Sequence, residues 1–166
     1  YIPGRWKPMA EELIKDYNLN NGSKVLDVGC GKGFLLLELK KILPELSIVG
    51  FDTSEYAINN SLEEAKHSLS VADAKKIPFP DNSFDVVISI NTINNLEKSD
   101  CAIALNEISR VSKKYSFITV DAYRNEEEKK RMFDWNLTAK TIMSEDEWEI
   151  FFKENNYDGD YYWFIP

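Results

Sequence analysis

Residues 25–34 read VLDVGCGKGF, an apolar run that gives way to glycines at 29, 31 and 33 and then to Phe34. Glycine reaches backbone angles closed to other residues and leaves no side chain between the chain and a ligand. A helix opening at Phe34 adds unpaired N–H groups, which favour a polar ligand. The segment therefore suits close backbone contact with a polar small molecule. Asp27 precedes the turn by two residues, and Cys30 lies within it.

Two further acids stand where predicted strands end. Asp52 follows SIVGF, 19 residues after Gly33. A carboxylate there can accept hydrogen bonds from both hydroxyls of a ribose. Asp52, Thr53 and Ser54 also precede a predicted helix, so an N-cap is the other use of Asp52. Asp73 and Ala74 lie after a weak third strand, in VADAKKIPFPDNSFDVV; a surface turn is the alternative there. The one histidine, His67, falls just before that strand, at the end of the sheet away from such a site, and reads as a surface residue. No cysteine or histidine spacing fits a metal.

Strands alternating with helices must position these groups. The spacing predicts a helix over 8–17 and strands over 24–28 and 47–52. It predicts helices over 34–43 and 54–66, a third strand over 68–72 and a fourth over 85–90, whose unbroken apolar run suits burial on both faces. A helix over 99–111, with Ile103, Ile108 and Val111 inward, leads to a fifth strand over 116–120. Asn125 with Glu128 opens a charged helix, Ser144 with Glu147 makes a capping box, and 160–165 is an aromatic strand. This alternation predicts an α/β domain with a mostly parallel sheet over residues 1–166.

The bulk properties agree. Of 166 residues, 43% are hydrophobic and 29% charged, as in an ordinary globular domain. Neither a signal peptide nor a run long enough to span a bilayer is visible, and two cysteines are too few for a disulfide framework, so a cytoplasmic protein without membrane contact is expected. The net charge of −8 counts against nucleic acid as a partner.

A dinucleotide turn would read G-x-G-x-x-G, with its third glycine where Phe34 stands. The pattern here, G-x-G-x-G behind Asp27, resembles the first motif of class I S-adenosylmethionine-dependent methyltransferases. The resemblance covers roughly residues 22–120, through the acids after strands two and three and the PFPDNSFDVVIS run. It implies a Rossmann-like, doubly wound sheet of six or seven strands with helices on both faces, usually ending in an antiparallel edge pair. It implies S-adenosylmethionine as cofactor, S-adenosylhomocysteine as its product, and a cofactor site made of Asp27, Gly29, Cys30, Gly31, Gly33, Phe34, Asp52, Thr53, Asp73, Ala74 and Asn91. Asp52 would hold the ribose, Asp73 the adenine amino group, the Ala74 N–H a ring nitrogen, and Asn91 would sit near the methionine part. Thr53 is smaller than the apolar residue the family often carries there.

The family has no universal catalytic residue. Asp121 and Tyr123, after strand five, are candidates for acceptor contact or proton removal, with loop capping as their other use. The fourth strand runs into Asn91-Thr92-Ile93-Asn94 and lacks the proline pair of base-amino methyltransferases; the paired-glutamate loop of arginine methyltransferases is also missing. Both absences favour a small-molecule acceptor, such as a sugar or a biosynthetic intermediate. Phe133 and Trp135 from one side, and Arg5 and Trp6 from the other, are candidates to line its pocket, with packing of its helix onto the sheet as the favoured use of Trp135. Tyr161, Tyr162, Trp163 and Phe164 would cover a sheet edge or join a homodimer. The rival functions are a non-catalytic cofactor-binding partner or regulatory module, and a nicotinamide-dependent oxidoreductase.

Overall fold

The computed structural model describes residues 2–166. Its centre is a seven-stranded sheet: β1 (Lys24–Val28), β2 (Ser47–Asp52), β3 (Leu69–Val71), β4 (Phe84–Ile90), β5 (Ser112–Tyr123), β6 (Met143–Ser144) and β7 (Asp160–Phe164). The order runs β3-β2-β1-β4-β5, and both β6 and β7 pair with β5. Every pairing between these strands is parallel. The expected antiparallel edge pair is therefore not formed among the described residues. The last strand returns through a helix and lies directly beside β5, from Phe117↔Asp160 to Asp121↔Phe164. Only one clear strand is expected after residue 143, with Thr138 to Met143 as the other source of a seventh; the additional strand is β6, two residues that begin at Met143.

Successive side chains on a strand face opposite ways, and each face builds its own core. Val25, Val86 and Ile88 join α1 (Lys7–Asp16) and α2 (Phe34–Ile42) through Leu13, Leu36 and Leu39. Leu26, Val28 and Val87 join α5 (Lys98–Val111) and α7 (Glu145–Glu154) through Leu105, Ile108 and Trp148. Helices thus cover both faces, and the sheet is buried as parallel sheets are.

Three local expectations change. The helix expected over 54–66 is two, α3 (Glu55–Asn59) and α4 (Glu63–Lys66). The Ile58 carbonyl, which a continuing helix would offer to Leu62, instead accepts from the Ser61 hydroxyl at 2.8 Å and the Ser61 N–H at 3.2 Å, while Asn60 Nδ2 adds a second donor to the Tyr56 carbonyl at 2.8 Å. Ile103 is 45% exposed, because the inward stripe of α5 is Cys101, Ala104, Leu105 and Ile108. β5 is longer than its apolar stretch, extending back through the exposed Lys113 and Lys114. Near the C-terminus α6 (Glu126–Trp135) lays Trp135 against Phe164 of β7 at 4.8 Å, the packing role that position allowed.

Candidate active site

The glycine turn joins β1 to α2 at the carboxyl ends of the strands, where a parallel sheet opens a crevice. Gly29 (φ 78°) and Cys30 both donate to the Phe51 carbonyl at 2.9 Å, which pins the turn to β2. A Cβ on Gly29 would fall 2.2 Å from the Thr92 side chain, so only glycine fits there. Gly31 (φ 54°) is the contrary case: a Cβ would meet nothing within 4 Å. Its left-handed backbone faces open space. Gly33 precedes α2 as its N-cap, and Phe34 is the first residue of the helix.

Asp52 holds this turn in shape. One carboxylate oxygen accepts from the Gly31 N–H at 2.9 Å and the other from the Ser54 N–H at 2.8 Å. The cap of α3 belongs to Ser54, whose hydroxyl accepts from Ala57 N–H at 3.1 Å. The two uses foreseen for Asp52 thus separate: the helix is capped by its neighbour, and Asp52 faces the crevice.

Two hollows flank the turn and share Gly29 and Ile90 as a wall. The first, about 320 Å³, lies between the acids: Asp52 and Thr53 on one side, Asp73 and Ala74 on another, and Asn91, Thr92, Asn95 and Leu96 closing it. Asp73 accepts from the Lys75 N–H at 2.9 Å, and Lys75 Nζ reaches Asp100 at 3.0 Å. Asn91, at φ 46°, donates its N–H to the Thr119 carbonyl at 3.1 Å, and its side-chain oxygen accepts from the Thr119 hydroxyl. The second hollow, about 380 Å³, is lined by Asp27, Cys30, Gly31, Lys32 and Phe34, with Trp6, Leu35 and Ile90. Burial, with the nearby Asp52 charge adding, pushes the Asp27 carboxyl up to about 7. Burial likewise raises the Cys30 thiol far above its ordinary range.

The expected cofactor residues therefore gather at one place, except that Gly33 supports the turn from behind, where a Cβ would lie 2.8 Å from Leu69. Asp121 and Tyr123 stand apart from both hollows. Asp121 is 3% exposed, one of its oxygens has no hydrogen-bond partner, and burial raises it to about 6 against the bond from Asn94. The Tyr123 hydroxyl points to Glu147 at 3.4 Å. Arg5 and Phe133 are exposed, and His67 is an exposed residue ending α4. Sequence reasoning missed Phe51, Ala72 and Leu96 in the first hollow, Lys32 and Leu35 in the second and Ile90 in both; Lys32 lies within the glycine motif and Leu35 on the helix it opens, while the others are apolar residues brought there by the ends of β2, β3 and β4 and the turn after β4.

The profile of a methyltransferase domain matches residues 19–158. The chain belongs to that family. It is 34% identical over 112 residues to the demethylmenaquinone methyltransferase of Staphylococcus haemolyticus, covering 64% of this chain and 46% of the relative. It is 33% identical over 127 residues to a sterol 24-C-methyltransferase of Aspergillus fumigatus, covering 69% and 33% respectively. The chain thus spans less than half the length of these relatives. Among solved structures, a SAM-dependent methyltransferase from Aquifex aeolicus superposes with TM-score 0.68 at 27% identity, over 93% of this chain and 82% of that one. Family and fold agree, and S-adenosylmethionine is the cofactor they imply.

The residues of this methyltransferase domain fit that group. Asp52 has lone pairs left beyond its two N–H bonds, Gly31 leaves space that a side chain would fill, and Asp27 is a carboxyl short of a cation. No cluster suited to a metal ion occurs among the described residues.

Proposed function

We propose that this domain transfers the methyl group of S-adenosylmethionine to a small-molecule acceptor. The observation that carries the reading is the pair of hollows meeting at Gly29, one walled by Asp52 and Asp73 and the other floored by Asp27. A nucleoside suits the first: Asp52 accepts from ribose hydroxyls, Asp73 from an adenine amino group, and the Ala74 N–H is the donor for a ring nitrogen. A cationic amino-acid tail suits the second, beside Asp27 and the Gly31 backbone. When bound, the cofactor supplies an activated methyl group on a positively charged sulfur. An acceptor atom taking that methyl group, with the bonding pair left on sulfur, would give up its proton to a side chain or to water.

The protein then has chiefly to align two reactants, which can supply about 7–11 kcal/mol of the barrier. Of the two candidates from the sequence, neither of which lines a hollow, Asp121 is the better suited to take the proton. It is buried, raised to about 6, and has a free acceptor oxygen. Tyr123 is engaged by Glu147 and suits an acceptor contact less well.

The test is calorimetric titration with S-adenosylmethionine, S-adenosylhomocysteine and NAD. Micromolar binding of the first two, and none of NAD, is expected. Binding of NAD alone would overturn the reading, and micromolar cofactor binding without methyl transfer across a broad acceptor panel would leave a cofactor-binding module in its place.

A further inference from the structure

The cofactor reading uses the floor of the second hollow and leaves its outer walls without a role. Those walls are Trp6, Leu35 and Ile90, which stand beside the Phe34 that the cofactor reading includes. The charged groups there are Asp27 and Lys32, and the Lys32 ammonium already sits over the Tyr56 ring, 5.1 Å from its centroid. Trp6 is half-buried at the head of α1, packed against the α1–α2 core, and its carbonyl accepts from the Ala10 N–H at 3.0 Å. An indole is therefore held, by an element outside the nucleotide-binding turn, over the groove that adjoins it.

We propose that this groove is the acceptor subsite and that it takes a flat aromatic ring system bearing a single polar group. The proposal rests on the cofactor reading above. Aromatic and branched walls gain by removing apolar ring surface from water, and ring pairs add an offset or edge-to-face preference. A sugar suits the walls poorly, because it would bury several hydroxyls with few partners. The hollow shares Gly29 and Ile90 with the nucleoside hollow, so a ring seated against Ile90 lies beside the turn that binds the cofactor. Its one polar group then faces Gly29, where the two hollows meet, because the amino-acid tail of the cofactor takes the Asp27 end.

The test uses 2-naphthol as probe and methyl α-D-glucopyranoside as control, each titrated by equilibrium dialysis into the protein saturated with S-adenosylhomocysteine. Sub-millimolar binding of 2-naphthol and no binding of the glucoside are expected. Trp6→Ala should weaken 2-naphthol at least tenfold while changing S-adenosylhomocysteine affinity less than twofold. Trp6→Phe, which keeps a ring in the wall, should retain binding within about threefold and guards against a loss that reflects unfolding. Binding of the glucoside in place of 2-naphthol, 2-naphthol binding unchanged in Trp6→Ala, or equal losses for both ligands would overturn the proposal. Failure of S-adenosylhomocysteine itself to bind would instead overturn the cofactor reading beneath it.

Discussion

Asp52 holds two backbone N–H groups and faces the first hollow, while Ser54 caps the helix that follows. The neighbours should therefore fail differently. Asp52→Ala is expected to weaken S-adenosylhomocysteine by about 10–100-fold, on the order of 1.4–2.7 kcal/mol. Ser54→Ala should cost about 0.5–2 kcal/mol of stability and leave affinity within twofold. Calorimetry and thermal melting separate the two, and unchanged affinity in Asp52→Ala would remove the ribose role. The glycines divide in the same way. Gly29→Ala drives a Cβ into Thr92 and should destabilise the fold, whereas Gly31→Ala, with open space before it, should cost only about 1–2 kcal/mol of left-handed strain but lose cofactor affinity tenfold or more. Asp27 gives a pH signature. Its carboxyl titrates near 7 in the folded chain and near 4 when unfolded, so only the folded state holds the proton between those values. Stability is fully present below about pH 4, falls as pH rises to about 7, and is then flat; the total is about 4 kcal/mol at most, at ~1.36 per unit. Asp27→Asn should flatten that slope in urea melts from pH 4 to 8. A cationic ligand beside Asp27 favours the carboxylate, so cofactor affinity should also fall between pH 8 and 6. The turn and its acids were legible in the sequence because they form a local pattern of glycine and carboxylate. The fit of Gly29 against Thr92 was not, because it joins the turns that follow two different strands, β1 and β4.

Arg110, on α5, shows how an element holds the site. Its guanidinium donates to the carbonyls of Ile77 at 3.0 Å and Phe79 at 2.8 Å, while Glu107 accepts from the Ile77 N–H at 2.7 Å. The segment that follows Asp73 and Ala74 is thereby bolted to a helix on the α5 face of the sheet. Charge-assisted bonds of this kind contribute about 1.5–3 kcal/mol each. Arg110→Ala should lower stability by about 2–3 kcal/mol and weaken the adenine end of the site. Arg110→Lys should not restore it, because one ammonium cannot reproduce the fork. Melting temperature and cofactor affinity measured on both variants decide this. The sequence showed the PFPDNSF run as a motif but not its anchor, since Arg110 lies some thirty residues further on. Helix ends were legible where side chains announce them, as with Asn125 and the Ser144–Glu147 box, both of which form. The break between α3 and α4 was hidden because the apolar spacing of Ala57, Ile58, Leu62 and Ala65 continues across it.

At the scale of the molecule, the two cores share one sheet and should melt as one. Leu36→Ala on one face and Leu105→Ala on the other are each expected to cost about 2–5 kcal/mol. Both should shift the same single urea transition, and two separable transitions would contradict this coupling. The layered α/β architecture was readable from the alternation of patterns. The edge was not: whether β7 meets β5 or a neighbour is decided by sheet geometry, which leaves no mark on five aromatic-rich residues.

The order of the sheet also bears on how the molecule comes into being. β1 is central, paired with β2 on one side and β4 on the other, and Thr92, which closes against Gly29, lies just beyond β4. The ligand-ready turn is thus completed only by chain some sixty residues downstream, and such distant pairings assemble slowly. A growing or refolding chain has no cofactor site until β4 has docked. S-adenosylhomocysteine should accordingly leave the refolding rate nearly unchanged and slow unfolding, since it can hold only what has already been built.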